Sequence, residues 1–430
     1  MSVIKSLFAP YRGLPREVYV IFVARIINAL GFFVMPLLTI ILTNNIGLSQ
    51  QAAGFYISLS GLLYLPAAML GGKLSDSWGR KKIIILFDLL SAVLYLICGF
   101  IQPSMLMVYL LMVAGMCMGA AGPAHDSLMA DLTTPQTRNG AYALSYLGFN
   151  MGFAIGPVLG GFLYHRHLPL VFIGDALTAL VALTLICVFI KETIQTTRAG
   201  SFDASRELEK REQGSIFAIL LKRPILIYFA VIAFGYNFAY AQWSFLLPLQ
   251  FVQQFKALGV QYYGWMAGFN GLIVMLFTPL VTRFVTGTPY IRRAVYGGLL
   301  YATGFGLLSL WSRLGFFFIS CFIFTLGEIV LSISITPFVI NHTPISHRGR
   351  MSAVLPMIMG LGYTIGPIGM GNILAYTTIE RGWLLIGVST LLFTCLMYGL
   401  ERWDRREECK TREECAECAV MPHAYALDKE

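Results

Sequence analysis

The chain has 430 residues, of which 57% are hydrophobic and only 12% charged, with a formal net charge of +9. Soluble domains carry about 25% charged residues, so a water-soluble enzyme or nucleic-acid-binding module is excluded and a polytopic membrane protein is expected. The aromatic and glycine content (31 Phe, 21 Tyr, 42 Gly) suits closely packed helices anchored at membrane interfaces.

Residues 1–17 read as a short basic leader on the inner face. The first apolar run begins near Val18 and is long enough to stay in the membrane as span 1 rather than be cleaved. Crossing about 30 Å of hydrocarbon takes about 20 residues. On that measure the spans are 18–42, with Pro36 as a kink, then 53–72, 83–101, 105–131, 140–164 and 168–190. Residues 191–223 are too charged to be buried and form a linker, within which 215–221 lie flat on the membrane. Spans 7 to 12 follow at 224–252, 262–284, 291–311, 316–340, 351–376 and 383–400, and 401–430 are a tail. The fold class expected is all-α, twelve transmembrane helices in two pseudo-symmetric six-helix bundles, 18–190 and 224–400.

With both termini in the cytoplasm, only Arg166, Lys256, Arg313 and Arg381 among the loop cations fall outside. That is a positive-inside bias, so the net charge reports topology and not a nucleic-acid partner. The halves also repeat. Gly152-Phe-Ala-Ile-Gly156-Pro157 in span 5 matches Gly362-Tyr-Thr-Ile-Gly366-Pro367 in span 11. Arg138 precedes Gly156, and Arg348 precedes Gly366, by the same 18 positions. Such a duplication is the pattern of transporters that rock one half against the other.

Between spans 2 and 3 the chain reads Gly72-Lys-Leu-Ser-Asp76-Ser-Trp-Gly79-Arg80-Lys81-Lys82, a charged hairpin between two apolar runs. This spacing resembles the loop signature of the major facilitator superfamily, with Ser77 where the family usually has Arg. The element Gly152, Gly156, Pro157, Gly160, Gly161 resembles the fifth-helix pattern of the superfamily's drug:proton antiporters, although Gly115 stands where the family's fourth-helix Arg would be. By this resemblance Gly72 and Gly79 allow a tight turn, Asp76 holds the N-terminal end of span 11, Arg80 reaches Asp131, and together they form a gate.

Ionisable groups inside a membrane cost about 2.5 to 3.5 kcal/mol each and need a partner or a water-filled cavity. Arg25 in span 1 shares a depth with Asp126 in span 4 and is expected to pair with it or with Asp88, as a proton-coupling set or as a structural pair. Glu328 lies halfway along span 10, one of the helices that line the superfamily's central cavity. It is read as a proton carrier, the alternatives being a cation-binding anion and a structural hydrogen bond. Asp175, near the outer end of span 6, is read as solvated or capping. Asn28, Asn150, Asn237, Tyr240, Gln242, Trp243, Asn270 and Tyr363 are expected to line an aromatic, sparsely polar pocket for bulky amphipathic or cationic compounds, against the alternative of plain packing.

Cys409, Cys415, Cys418 and His423 could supply four zinc ligands, but their spacing favours a disordered charged tail with no metal. The intramembrane cysteines read as core fillers. No phosphate-binding loop, His-Glu-x-x-His motif or nucleophile elbow is present, so neither an enzyme nor a cofactor is expected. The reading is a monomeric, multi-pass protein of the cell membrane that exchanges a small organic substrate for protons. A transporter of a defined metabolite or lipid, and a non-transporting sensor with a metal-responsive tail, are the alternatives.

Overall fold

The computed structural model describes residues 13–193, 224–310, 313–342 and 348–420, and these residues form helices and short connections with no strand among them. Ten segments are long and apolar enough to cross a membrane. One of them, 224–285, doubles back at Lys256, whose φ of 49° is the sole positive value of a non-glycine residue among those described. The 18-residue helix Tyr290–Leu307 lies outside those ten and packs against its neighbours on both sides. The arrangement is consistent with twelve crossings.

Spans 1 to 6 pack on one another through the pairs 2–4, 3–4, 3–6, 1–5 and 1–6. Spans 7 to 12 do so through 7–11, 7–12, 8–10, 9–10 and 9–12. Spans 2 and 11, and spans 5 and 8, make the main contacts between the two groups.

Several spans are interrupted, and the sequence explains where. Span 1 is helical over Arg16–Leu30 and again over Val34–Ile40, with a π turn at Ile41–Asn45. The break at 31–33 precedes the expected kink at Pro36, because Pro36 has no N–H for the carbonyl of Phe32 and the disturbance falls one turn earlier. The backbone donors released there are satisfied from span 6: Asp175 Oδ2 accepts from Phe33 N at 3.3 Å and Val34 N at 3.1 Å. Asp175 is therefore a buried cap, 6% exposed, and not a solvated group. Span 7 breaks at 242–245 between Pro224–Ala241 and Leu246–Phe255. Pro248 cannot donate to the Ser244 carbonyl, which instead accepts from Thr39 Oγ1 of span 1 at 2.8 Å. Span 5 breaks at 154–155, just before Gly156-Pro157.

Span 2 is helical over Gln50–Trp78 and span 3 over Arg80–Phe100, so the expected hairpin narrows to a one-residue turn at Gly79. The last helix runs over Ile379–Val420, so the expected disordered tail is replaced by helix as far as Val420. The zinc alternative falls on side chains outside the described residues, as does the expected surface helix at 215–221.

Candidate functional site

At the hairpin face, one glycine and a small set of charges tie four spans together. Gly79 has φ of 123°, and a Cβ there would collide with the carboxylate of Glu192, so no other residue fits the turn without strain. Glu192 Oε1 accepts from the backbone of Arg80 at 2.9 Å and Oε2 from that of Lys82 at 3.4 Å. A carboxylate is thus placed on the N-terminus of span 3, where the helix dipole favours it. Arg80 Nε donates to Asp131 Oδ2 at 2.9 Å and its Nη1 to Asp76 Oδ1 at 3.0 Å. Thr193 adds a 2.8 Å bond to Asp131. Asp131 is 8% exposed and Asp76 73%, so the strength of the cluster resides in the Arg80–Asp131 pair. The contact that the hairpin signature implies from Asp76 to the start of span 11 falls on side chains outside the described residues. Gly72 has room for a side chain, with Pro123 Cβ at 3.7 Å from its would-be Cβ. Gly72 lies inside the helix Gln50–Trp78, so the tight turn expected there is made by Gly79 alone, while Gly71 makes a close approach to the Ala120 backbone.

At the opposite face, contacts between the two groups follow the internal repeat. A Cβ on Gly54 would strike the Pro367 carbonyl, and one on Gly264 would strike the Pro157 carbonyl. Gly61 abuts Thr364, and Gly271 abuts Ala154. Both members of each pair are offset by 210 positions from their counterparts. Gly152 and Gly156 pack on the span 1 backbone as Gly362 and Gly366 pack on span 7. Gly160 meets Phe33, and Gly161 meets Val260 as Gly371 meets Gln50. The expected span 5 motif is therefore both the seam of its own group and one side of the seal between groups. Ser58 Oγ, accepting from Ile368 N at 3.0 Å, and Gln51 Nε2, donating to Asn372 Oδ1 at 2.6 Å, add polar contacts to the seal.

Between these faces, Glu328 projects from span 10 (Leu314–His342) into a set of donors. Asn270 Nδ2 of span 8 donates to Glu328 Oε2 at 3.0 Å and to Thr325 Oγ1 at 2.8 Å. The Tyr240 hydroxyl of span 7 also bonds Glu328. Tyr240 stacks on Tyr301 with centroids 5.8 Å apart and planes 7° off parallel. Tyr363, 6.3 Å from Tyr240, shares a 3.0 Å bond with Ser244 Oγ. Tyr146 of span 5, in the first group, lies within electrostatic reach of Glu328. Spans 7, 8, 9 and 11 of the second group thus bring an amide and three tyrosines to one half-buried carboxylate of span 10.

Of the eight residues expected to share a pocket, Tyr240, Asn270 and Tyr363 gather at Glu328, and Asn150 bonds Tyr146, which lies near it. Asn150, Asn237 and Gln242 each donate to the carbonyl four residues back on their own helix, at 2.9, 2.9 and 3.1 Å. Trp243 sits in an aromatic core against Phe324 at 5.2 Å. Asn28 lines a separate cavity of about 330 Å³ within the first group, with Arg25, Asp88, His125, Asp126 and Asp175. There Asp88 is engaged by His125, Nε2 to Oδ2 at 2.9 Å, and no ion pair joins Arg25 to Asp88 or Asp126 among the described residues. Consecutive residues of a helix point about 100° apart, so His125 turns to span 3 while Asp126 faces the cavity. The pairing expected for Arg25 is absent in this conformation.

Two six-span groups touching at one face, with a polar centre midway and a charged clasp at the other face, define a membrane transporter and not an enzyme. The chain belongs to the Major Facilitator Superfamily, whose family model matches residues 21–367. It is similar to a Na(+), Li(+), K(+)/H(+) antiporter of Planococcus maritimus, 22% identical over 80% of this chain and 86% of that one. It is also similar to the class G tetracycline resistance protein of Vibrio anguillarum, 26% identical over 86% and 93%. Among solved structures, a peptide transporter POT in complex with sulfate superposes with a TM-score of 0.75 at 15% identity, covering 94% of this chain and 98% of that one, which shows the fold.

Proposed function

We propose that this transporter exports bulky amphipathic or cationic organic compounds across the cell membrane in exchange for protons, with Glu328 as the proton carrier. The observation that carries this reading is the setting of Glu328: one carboxylate held by Asn270 and Tyr240 and faced by stacked tyrosines. Ionised, it accepts from both donors and attracts a cation whose apolar body is held by the aromatic faces. Protonated, its oxygen becomes a donor and the charge is gone. Proton and cationic substrate therefore compete for one group, which is the condition for antiport.

The positive-inside loops support a cytoplasmic hairpin; the sealed face is then the outer one, and this conformation is read as inward-open. Parting of the Gly54–Pro367 and Gly264–Pro157 contacts, with Asp76 closing on span 11, converts it to the outward-open state. The Arg80–Asp131 pair, Gly72 and Gly79 serve that gate. Arg25 and Asp126 serve proton traffic through the first group.

The test is proton movement in proteoliposomes carrying a pH-sensitive dye, screened with organic cations, dyes, drugs and metabolites. Wild type moves protons when a substrate is added and Glu328→Gln does not. Substrate-driven proton movement that survives Glu328→Gln overturns the assignment. The antiporter of Planococcus maritimus favours a second reading in which the cation is Na⁺, K⁺ or Li⁺. It holds if those ions alone drive the proton signal.

A further inference from the structure

We propose that His125 and Asp88 form a second proton-binding site, located within the first group of spans and separate from Glu328. Their 2.9 Å contact joins span 4 to span 3, and each side chain is 24% exposed, so the pair is neither sealed from water nor dispersed in it. It opens on the cavity of about 330 Å³, and a water molecule occupies about 30 Å³, so the space holds several waters that can deliver a proton.

The charged and titratable groups facing the pair come from every neighbouring span. Span 1 supplies Arg25, span 2 Tyr64, span 3 Tyr95, span 4 Asp126 and span 6 Asp175. An adjoining space of about 380 Å³ brings Tyr142 and Tyr146 of span 5 to the other side of His125. Cys117 lies within electrostatic reach of Asp88. With the imidazole neutral and Asp88 and Asp126 ionised, two negative charges face the one positive charge of Arg25, a field that favours uptake of a cation. No group of three metal-ligating side chains lies among the described residues, whereas an imidazole bonded to a carboxylate is a ready proton acceptor. The proton adds to the lone pair of the ring nitrogen turned away from Asp88, while Nε2–H donates to Asp88. No other bond is broken, and the charge of the pair goes from −1 to zero. The cavity also reaches Asp175, the carboxylate that caps the break in span 1, so the pair's charge is felt where that helix is jointed.

This site stands or falls independently of Glu328. Full-length protein in nanodiscs, labelled with ¹⁵N-imidazole histidine, gives ring-nitrogen signals from six histidines, and His125→Gln identifies those that belong to His125. In wild type the His125 signal changes with pH, as a group that takes up a proton must. In Asp88→Asn that pH dependence is altered, since a charge within hydrogen-bonding distance has been removed. In Glu328→Gln it is unchanged. A His125 signal that does not change with pH, or whose pH dependence is the same in Asp88→Asn as in wild type, overturns the proposal. The wild-type titration decides the first point even if a variant fails to fold. A titrating His125 together with proton coupling that survives Glu328→Gln would uphold this site and overturn the role given to Glu328.

Discussion

The two groups of six spans share a backbone plan and differ in where they keep their charge. In the first, a guanidinium, an imidazole and three carboxylates surround a cavity, and a clasp of Arg80, Asp131 and Glu192 fastens its hairpin end. In the second, one carboxylate sits among tyrosines, held by an amide. Its end fastening is a different one: Glu401 accepts from Arg292 at 2.7 Å and from Arg405 at 3.0 Å. Where the groups touch, however, they match position for position, Gly54 on Pro367 and Gly264 on Pro157. Close backbone contact leaves no latitude for side chains, whereas the surfaces facing the cleft are free to acquire different chemistry. The repeat persists where packing enforces it and is lost in the charged interiors of the two groups.

That contrast can be broken by substitution, beginning with the clasps. Arg80→Ala leaves Asp131, 8% exposed, without its guanidinium and is expected to cost about 3 kcal/mol or more, read as a lower unfolding temperature in detergent. Arg292→Ala costs less, because Glu401 keeps Arg405. Equal losses in the two would show that the clasps are equivalent.

Asn270→Ala removes the amide donor to Glu328 and Thr325. A hydrogen bond to a charged group is worth about 1.5 to 3 kcal/mol, so the unfolding temperature falls and proton-coupled transport falls by about 10-fold or more. Asp175→Ala leaves two backbone donors of span 1 without their cap, at about 1 to 3 kcal/mol. Asp175→Asn, which keeps an acceptor oxygen, restores most of it. The smallest expected effect is that of Ser58→Ala, which removes one bond of the seal worth about 1 kcal/mol. It shifts the conformational balance toward the outward-open state, measured as faster labelling of a cysteine placed at Gln51.

The spans, the hairpin and the repeat were legible in the sequence because apolar run length and glycine spacing are properties of the chain alone. Side-chain direction is not. Asn150, Asn237 and Gln242 have the right residue types for a pocket, yet each returns to its own helix carbonyl, an ever-present local partner for an amide in a span. His125 and Asp126 are adjacent in the chain, and only the direction each faces shows that the histidine, not the arginine, is the partner of Asp88. Glu192 was hidden because it lies at the edge of the charged stretch read as a linker, where a carboxylate looks like a solvated group. The signal for the seal was present but unread: the pattern Gly54…Gly61 recurs as Gly264…Gly271 at the same 210-residue offset as the span 5 and span 11 motifs.

The central claim is that proton and substrate share one carboxylate on the second group. Its most direct test is to compare two activities of Glu328→Gln in proteoliposomes, with a substrate found by the dye assay. The account predicts that exchange of labelled for unlabelled substrate persists while accumulation driven by a pH gradient is lost. Accumulation that follows the pH gradient as in wild type would contradict it.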